Sequence, residues 1–197
     1  MTLFLFGMLP AACSSKPAPA AAEPAAPALW GELKPVVTIK QLMNDLIDPA
    51  SDFVFNAVGT VISGKGIVET EPKTDDDWAK VRVGAVTMAE GIYLLKIPRP
   101  IAPPGDVNNS VGSDASELTP DQIKAKIEAD TVLWNAKIEA LRNINLQVLE
   151  IVKKKDAKEL SEAGEILDQA CESCHLEYWY PAEKDLMKRL DRRLKGQ

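Results

Sequence analysis

From Val37 to Ile62 the apolar residues recur in steps of three and four: Ile39, Leu42, Met43, Leu46, Ala50, Phe53, Val54, Ala57 and Val61. Such steps lay side chains along one face of a helix. Pro49 falls inside the run; without an N–H it predicts a kink near Asp48. Ser63-Gly64-Lys65-Gly66 predicts a turn. A second helix is expected from Thr74, whose hydroxyl suits an N-cap, with Asp75, Asp76 and Asp77 in its first turn. Its stripe is Trp78, Val81, Ala85, Met88, Ala89, Ile92 and Leu95, and Pro98 and Pro100 end it. Residues 97–118 are a long Pro/Gly/Asn/Ser-rich connection without periodicity, read as a surface lid or a disordered segment. Thr119-Pro120-Asp121-Gln122 is a capping box that opens a third helix running to about Lys154. Its apolar positions are Ile123, Ile127, Leu133 or Trp134, Ile138, Leu141, Val148 or Leu149, and Val152. The fourth helix opens at Asp156, with Glu159 in its first turn. Its stripe is Leu160, Ala163, Leu167, Ala170, Cys171, Cys174, His175 and Tyr178. Pro181 interrupts, and a basic amphipathic tail follows with Leu186, Leu190 and Leu194. Four amphipathic helices predict an all-α fold, an antiparallel four-helix bundle.

The start of the chain has a different character. Leu3 to Leu9 is a short apolar run, followed by Ala11, Ala12 and Cys13-Ser14-Ser15. This resembles a bacterial lipoprotein signal, in which the Cys is lipidated and becomes the new N-terminus. Neither Lys nor Arg precedes the apolar run, and Pro10 stands where such signals prefer Leu. Ser14 to Ala28 is mostly Ala and Pro, with Pro17, Pro19, Pro24 and Pro27 denying it helical donors. It reads as a semi-rigid tether. The expected organisation is a signal peptide over residues 1–12, a lipidated Cys and linker over 13–32, and a folded domain over 33–197.

The chain has 197 residues, 46% hydrophobic and 26% charged, which is enough for one packed core. Its net charge of -6 argues against nucleic acid as a partner, since an acidic chain does not neutralise phosphates. No apolar run reaches the ~18 residues of a transmembrane helix. There are three Cys and one His. A closed zinc site needs four ligands in clusters, so a zinc ribbon or Cys2His2 finger is excluded.

Cys171, Cys174 and His175 form Cys-Glu-Ser-Cys-His, the spacing of c-type haem attachment. Two thiols three residues apart on a helix reach the two vinyl groups of one porphyrin, and the adjacent imidazole reaches its iron. The motif lies on the core stripe of the fourth helix, so the attachment site is expected to point into the interior. A thiol–disulfide pair is the competing reading. Such pairs sit at helix starts, where the dipole lowers the first thiol's pKa. Here the pair is about four turns into its helix.

A helical bundle with this motif in its last helix resembles the cytochrome c′ / cytochrome c556 family. The likeness covers about residues 37–180. It implies one covalent haem c, thioethers at Cys171 and Cys174, and His175 as proximal iron ligand. Tyr178 matches an aromatic common in that family, whereas Trp179 stands where Arg or Lys is usual. The family's first helix faces the sixth iron position. A Met there gives a six-coordinate electron carrier, and a Leu or Phe gives a five-coordinate site open to NO or CO. Met43 is the sulfur on the first helix and is read as the distal ligand, with Met88 as second candidate. Trp134, Trp179, Tyr178 and Phe53 fit core roles as well as porphyrin contacts, and Arg82 and Arg142, which could pair with haem propionates, read as solvated surface charges.

The expectation is therefore a c-type cytochrome that is not an enzyme: a one-electron carrier with His/Met iron, lipid-tethered at Cys13 to the periplasmic face of a bacterial membrane. Its partners would be redox proteins, and relatives often form homodimers. The alternative is a five-coordinate protein of the same fold that binds NO or CO.

Overall fold

The computed structural model describes residues 33–106, 117–184 and 192. By its internal contacts the chain divides between Glu32 and Leu33, and all described residues belong to the second unit. The expected signal peptide, Cys13, the linker, the tail leucines and residues 107–116 lie outside the described residues.

The first helical run has three parts: α1 (Ile39–Leu42), a wider π-helical turn (Met43–Ile47) and α2 (Asp48–Phe55). Thr38 caps α1, its hydroxyl accepting from Gln41 N–H while the Gln41 amide reaches back. The kink expected at Pro49 takes the form of the π turn. Proline cannot donate to Asp45, and its ring would press on that carbonyl. The turn instead widens until Asp48 N–H reaches the Met43 carbonyl, five residues back.

The run stops at Phe55 rather than continuing to Ile62. Residues expected to be helical form a hairpin of β1 (Gly59–Ser63) and β2 (Gly66–Thr70), antiparallel, with Val61 opposite Val68 and Ile62 opposite Ile67. β-Branched residues on both sides of Gly64-Lys65 favour the strands. Val61, assigned to the core stripe, is exposed, and Phe53 is half-exposed. The structure is thus mostly helical with one small sheet.

α3 (Asp75–Gly91) starts at Thr74 in a capping box with Asp77 and tightens into a 3-10 turn over Ile92–Lys96. Its predicted stripe from Trp78 to Leu95 is buried throughout. Of the connection over 97–118, the described first part, residues 97–106, packs against α1. Ile101 is buried, and the carbonyls of Pro100 and Ile101 accept from Ile39 and Lys40 N–H at 2.9 Å each, satisfying two orphan donors of α1.

The predicted third helix is two. α4 (Pro120–Ala129) ends at Asp130, whose backbone leaves the helical region and whose carboxylate caps α5 (Thr131–Lys154) by accepting from Leu133 N–H at 2.8 Å. Lys155, at φ 56°, closes α5, and Asp156 caps α6 (Ala157–Tyr178). α3 packs on α2 and on α5, α5 packs on α6, and α6 touches α2, so the four segments close a circuit around one core. Fully burying an aliphatic side chain such as Ile92, Leu160 or Leu167 contributes about 1.5–3 kcal/mol.

Candidate functional site

The core stripe of α6 is deeply buried at Leu160, Ala163 and Leu167, and buried again at Tyr178 and Trp179. Between them, Ala170, Cys171, Cys174 and His175 are only half-buried. The motif therefore opens at the rim of the core instead of pointing into its centre, as expected from the stripe alone. The dipping stripe follows from what lies opposite. Trp134 of α5 fills the space at the end of α6, edge-on to Tyr178 at 5.0 Å and stacked on Trp179 at 6.2 Å. Its indole N–H donates to the Leu95 carbonyl at 3.2 Å, which pins this cluster to the turn after α3.

Cys171 and Cys174 are free thiols. Burial, the largest cause, pushes the Cys171 thiol up to about 11, and the carboxylate of Asp168 adds to it. Burial pushes Cys174 to about 12, against the pull of the Lys137 ammonium. Both are neutral thiols at pH 7. Lys137 reaches from α5 to Ser173, donating to its carbonyl at 2.9 Å and its hydroxyl at 2.8 Å, so α5 and α6 are tied at the motif.

The His175 side chain is 36% exposed, and its Nδ1 lies 3.7 Å from the Glu172 carboxylate. Burial lowers its pKa from 6.5; Glu172, Asp168 and Asp48 oppose that. Lowering from that value leaves the imidazole neutral at pH 7, the form that ligates metals. Trp179 and Tyr180 N–H both donate to the His175 carbonyl, at 2.8 and 3.1 Å, and end the helix one turn past the motif.

Met43 is half-buried at the edge of the same core, at the start of the π turn. In an α-helix, residues five apart point roughly 140° away from each other. The π turn closes on Asp48 N–H and so stacks Asp48 next to Met43. Asp48 in turn acts on both Cys171 and His175. Leu46 and Ile47 instead lie against Gly91 of α3. Met88, the second candidate, is enclosed in the core of α3. Arg82 is exposed as expected, but Arg142 is not a solvated charge: its guanidinium lies 4.7 Å over the Tyr93 ring.

Glu172, Tyr180, Asp48 and Lys137 are site residues the sequence reading missed. Glu172 was open to notice, three residues before His175 on a helix; the other three depend on how elements pack.

Among the described residues, no three His, Cys, Asp or Glu side chains gather to hold a metal ion. Two cavities, of about 690 and 520 Å³, lie elsewhere, one beside Ile101, Ile127 and Trp134, the other beside Pro49, Asn56 and Lys80. No family model matches the chain, and no curated protein or solved structure does.

Proposed function

We propose that this chain is a c-type cytochrome: a four-helix bundle, built from α1–α2, α3, α5 and α6, that carries one covalent haem c and passes single electrons. The observation behind the reading is the state of the motif. Two neutral thiols and a neutral imidazole share one half-open face of α6. A disulfide oxidoreductase needs a stabilised thiolate, and burial here does the opposite.

The donor set fits the group. Cys171 and Cys174 supply the thioether sulfurs, His175 the proximal nitrogen and Met43 the distal thioether. Haem c supplies a one-electron iron centre when bound. The chain's own part is to hold these donors and exclude water. Lys137 fixes the motif to α5 and Trp134 closes its end, and Met43 would come from the π turn whose next residue, Asp48, acts on Cys171 and His175. The half-open rim leaves an edge of the site near solvent, where a redox protein approaches. The Ala/Pro-rich segment after Cys13 suits a tether to the periplasmic face of a membrane.

Acidified organic solvent tests the covalent link. Colour should stay on the polypeptide in wild type and leave it in a Cys171→Ser/Cys174→Ser variant. Colour that leaves wild type entirely ends the proposal. The reduced spectrum tests the iron: sharp α and β bands support His/Met coordination. A broad high-spin band transfers the assignment to an open site for NO or CO.

A further inference from the structure

Glu172 precedes His175 by one turn of α6, and its Oε2 faces Nδ1 at 3.7 Å. The same oxygen accepts a hydrogen bond from the Tyr180 hydroxyl at 2.8 Å. Tyr180 lies past the helix end, where its N–H bonds the His175 carbonyl and its ring stands 5.9 Å from the imidazole. The carboxylate is thus gripped from one side by a tyrosine and turned toward the imidazole on the other.

We propose that Glu172, held by Tyr180, is the positioning residue of the His175 imidazole, keeping the ring proton on Nδ1 and leaving Nε2 as the ligating nitrogen. This deepens the haem reading and rests on it. A neutral imidazole has one N–H, and the group opposite one nitrogen decides the tautomer. A carboxylate opposite Nδ1 selects Nδ1–H and frees the Nε2 lone pair. At 3.7 Å the hold is electrostatic rather than a direct hydrogen bond. Ligating histidines commonly have their second nitrogen fixed in this way, which makes them stronger donors. A stronger donor with a negative charge behind it favours oxidised iron over reduced. Asp168 and Asp48 also act on the imidazole, but the Glu172 oxygen is the one shared between the tyrosine and Nδ1.

Glu172→Gln keeps the shape and an acceptor for Tyr180 but removes the charge. In the haem-loaded full chain, the ratio of oxidised to reduced protein at a fixed ambient potential should fall about tenfold, which is ~59 mV for one electron. Glu165→Gln, the same charge change at an exposed position on α6, should leave the ratio unchanged. The chain has a single His, so nitrogen NMR reads its tautomer without assignment. On haem-free full chain, wild type should show Nδ1–H, and Glu172→Gln should shift the population toward Nε2–H. An unchanged tautomer in Glu172→Gln overturns the proposal, as does a potential shift that Glu165→Gln reproduces. If wild type carries no covalent haem, the cytochrome reading fails, and the tautomer still decides what Glu172 does.

Discussion

Disulfide exchange runs through a stabilised thiolate, so the protonation of Cys171 and Cys174 tests that competing chemistry. With pKa values near 11 and 12, both should resist alkylation. In haem-free Cys13→Ser protein at pH 8, Cys171 should react about a hundredfold more slowly than in denaturant, and Cys174 about a thousandfold. Labelling as fast as in the unfolded chain would reject the burial argument. The two methionines separate in the same way. Met43 sits at the rim beside Asp48, Met88 inside the core. Met43→Ala should convert a low-spin spectrum to high spin and admit CO while the protein stays folded. Met88→Ala should leave the spectrum alone and cost about 2–5 kcal/mol in denaturant melts. An unchanged spectrum in Met43→Ala removes the methionine from the iron. The donor residues were legible because chemistry fixes their spacing along one helix. Their surroundings were not, because Asp48, Lys137 and Tyr180 arrive from other elements or from past the helix end.

At the scale of elements, the close approach of the first helical run to α3 involves two glycines seven residues apart, Gly84 facing α2 and Gly91 facing the π turn. A Cβ on Gly84 would lie 2.5 Å from the Ala50 carbonyl oxygen and 2.7 Å from Phe53 Cβ. A Cβ on Gly91 would meet Leu46 Cδ2 at 3.0 Å and Ile47 Cδ1 at 3.1 Å, the far ends of side chains that can turn. Gly→Ala inside a helix by itself gains about 1 kcal/mol. Gly91→Ala should therefore come out near neutral, whereas Gly84→Ala must push backbone from backbone and lose about 1–3 kcal/mol. Urea melts of the two variants give the order, and equal stabilities would contradict the packing. Helix starts were readable at Thr74, Thr119 and Asp156, which cap through local chemistry, whereas the Thr38 cap was not read from the sequence. The hairpin was missed for a physical reason. Val61 continues the helical spacing of the preceding residues, but Thr60-Val61-Ile62 and Ile67-Val68 pair across a Gly-Lys turn and never enter the core. The break at Asp130 was hidden in the same way, because the apolar steps run on across it while the Asp side chain caps the next helix.

At the scale of the whole molecule, the proposed membrane tether can be tested apart from the haem site. None of the described helices is long and apolar enough to cross one. The net charge of -6 gives the chain no overall attraction to anionic lipid. In the proposed tether, hydrocarbon attached to Cys13 would hold the protein, at about 0.8 kcal/mol per buried CH2. Such an anchor has a distinct signature. High salt should not release wild-type protein from the membrane fraction, because screening weakens charge contacts and leaves acyl chains in place. Detergent should release it. Cys13→Ser should move the protein to the soluble periplasmic fraction. Cys13 precedes the division of the chain at Glu32 and Leu33, so the released protein should keep the haem and visible spectrum of wild type. A Cys13→Ser protein still sedimenting with membranes would shift attention to the apolar stretch Leu3–Leu9 or to a membrane partner. A wild-type protein that is soluble without detergent would remove the anchor and leave a freely diffusing carrier.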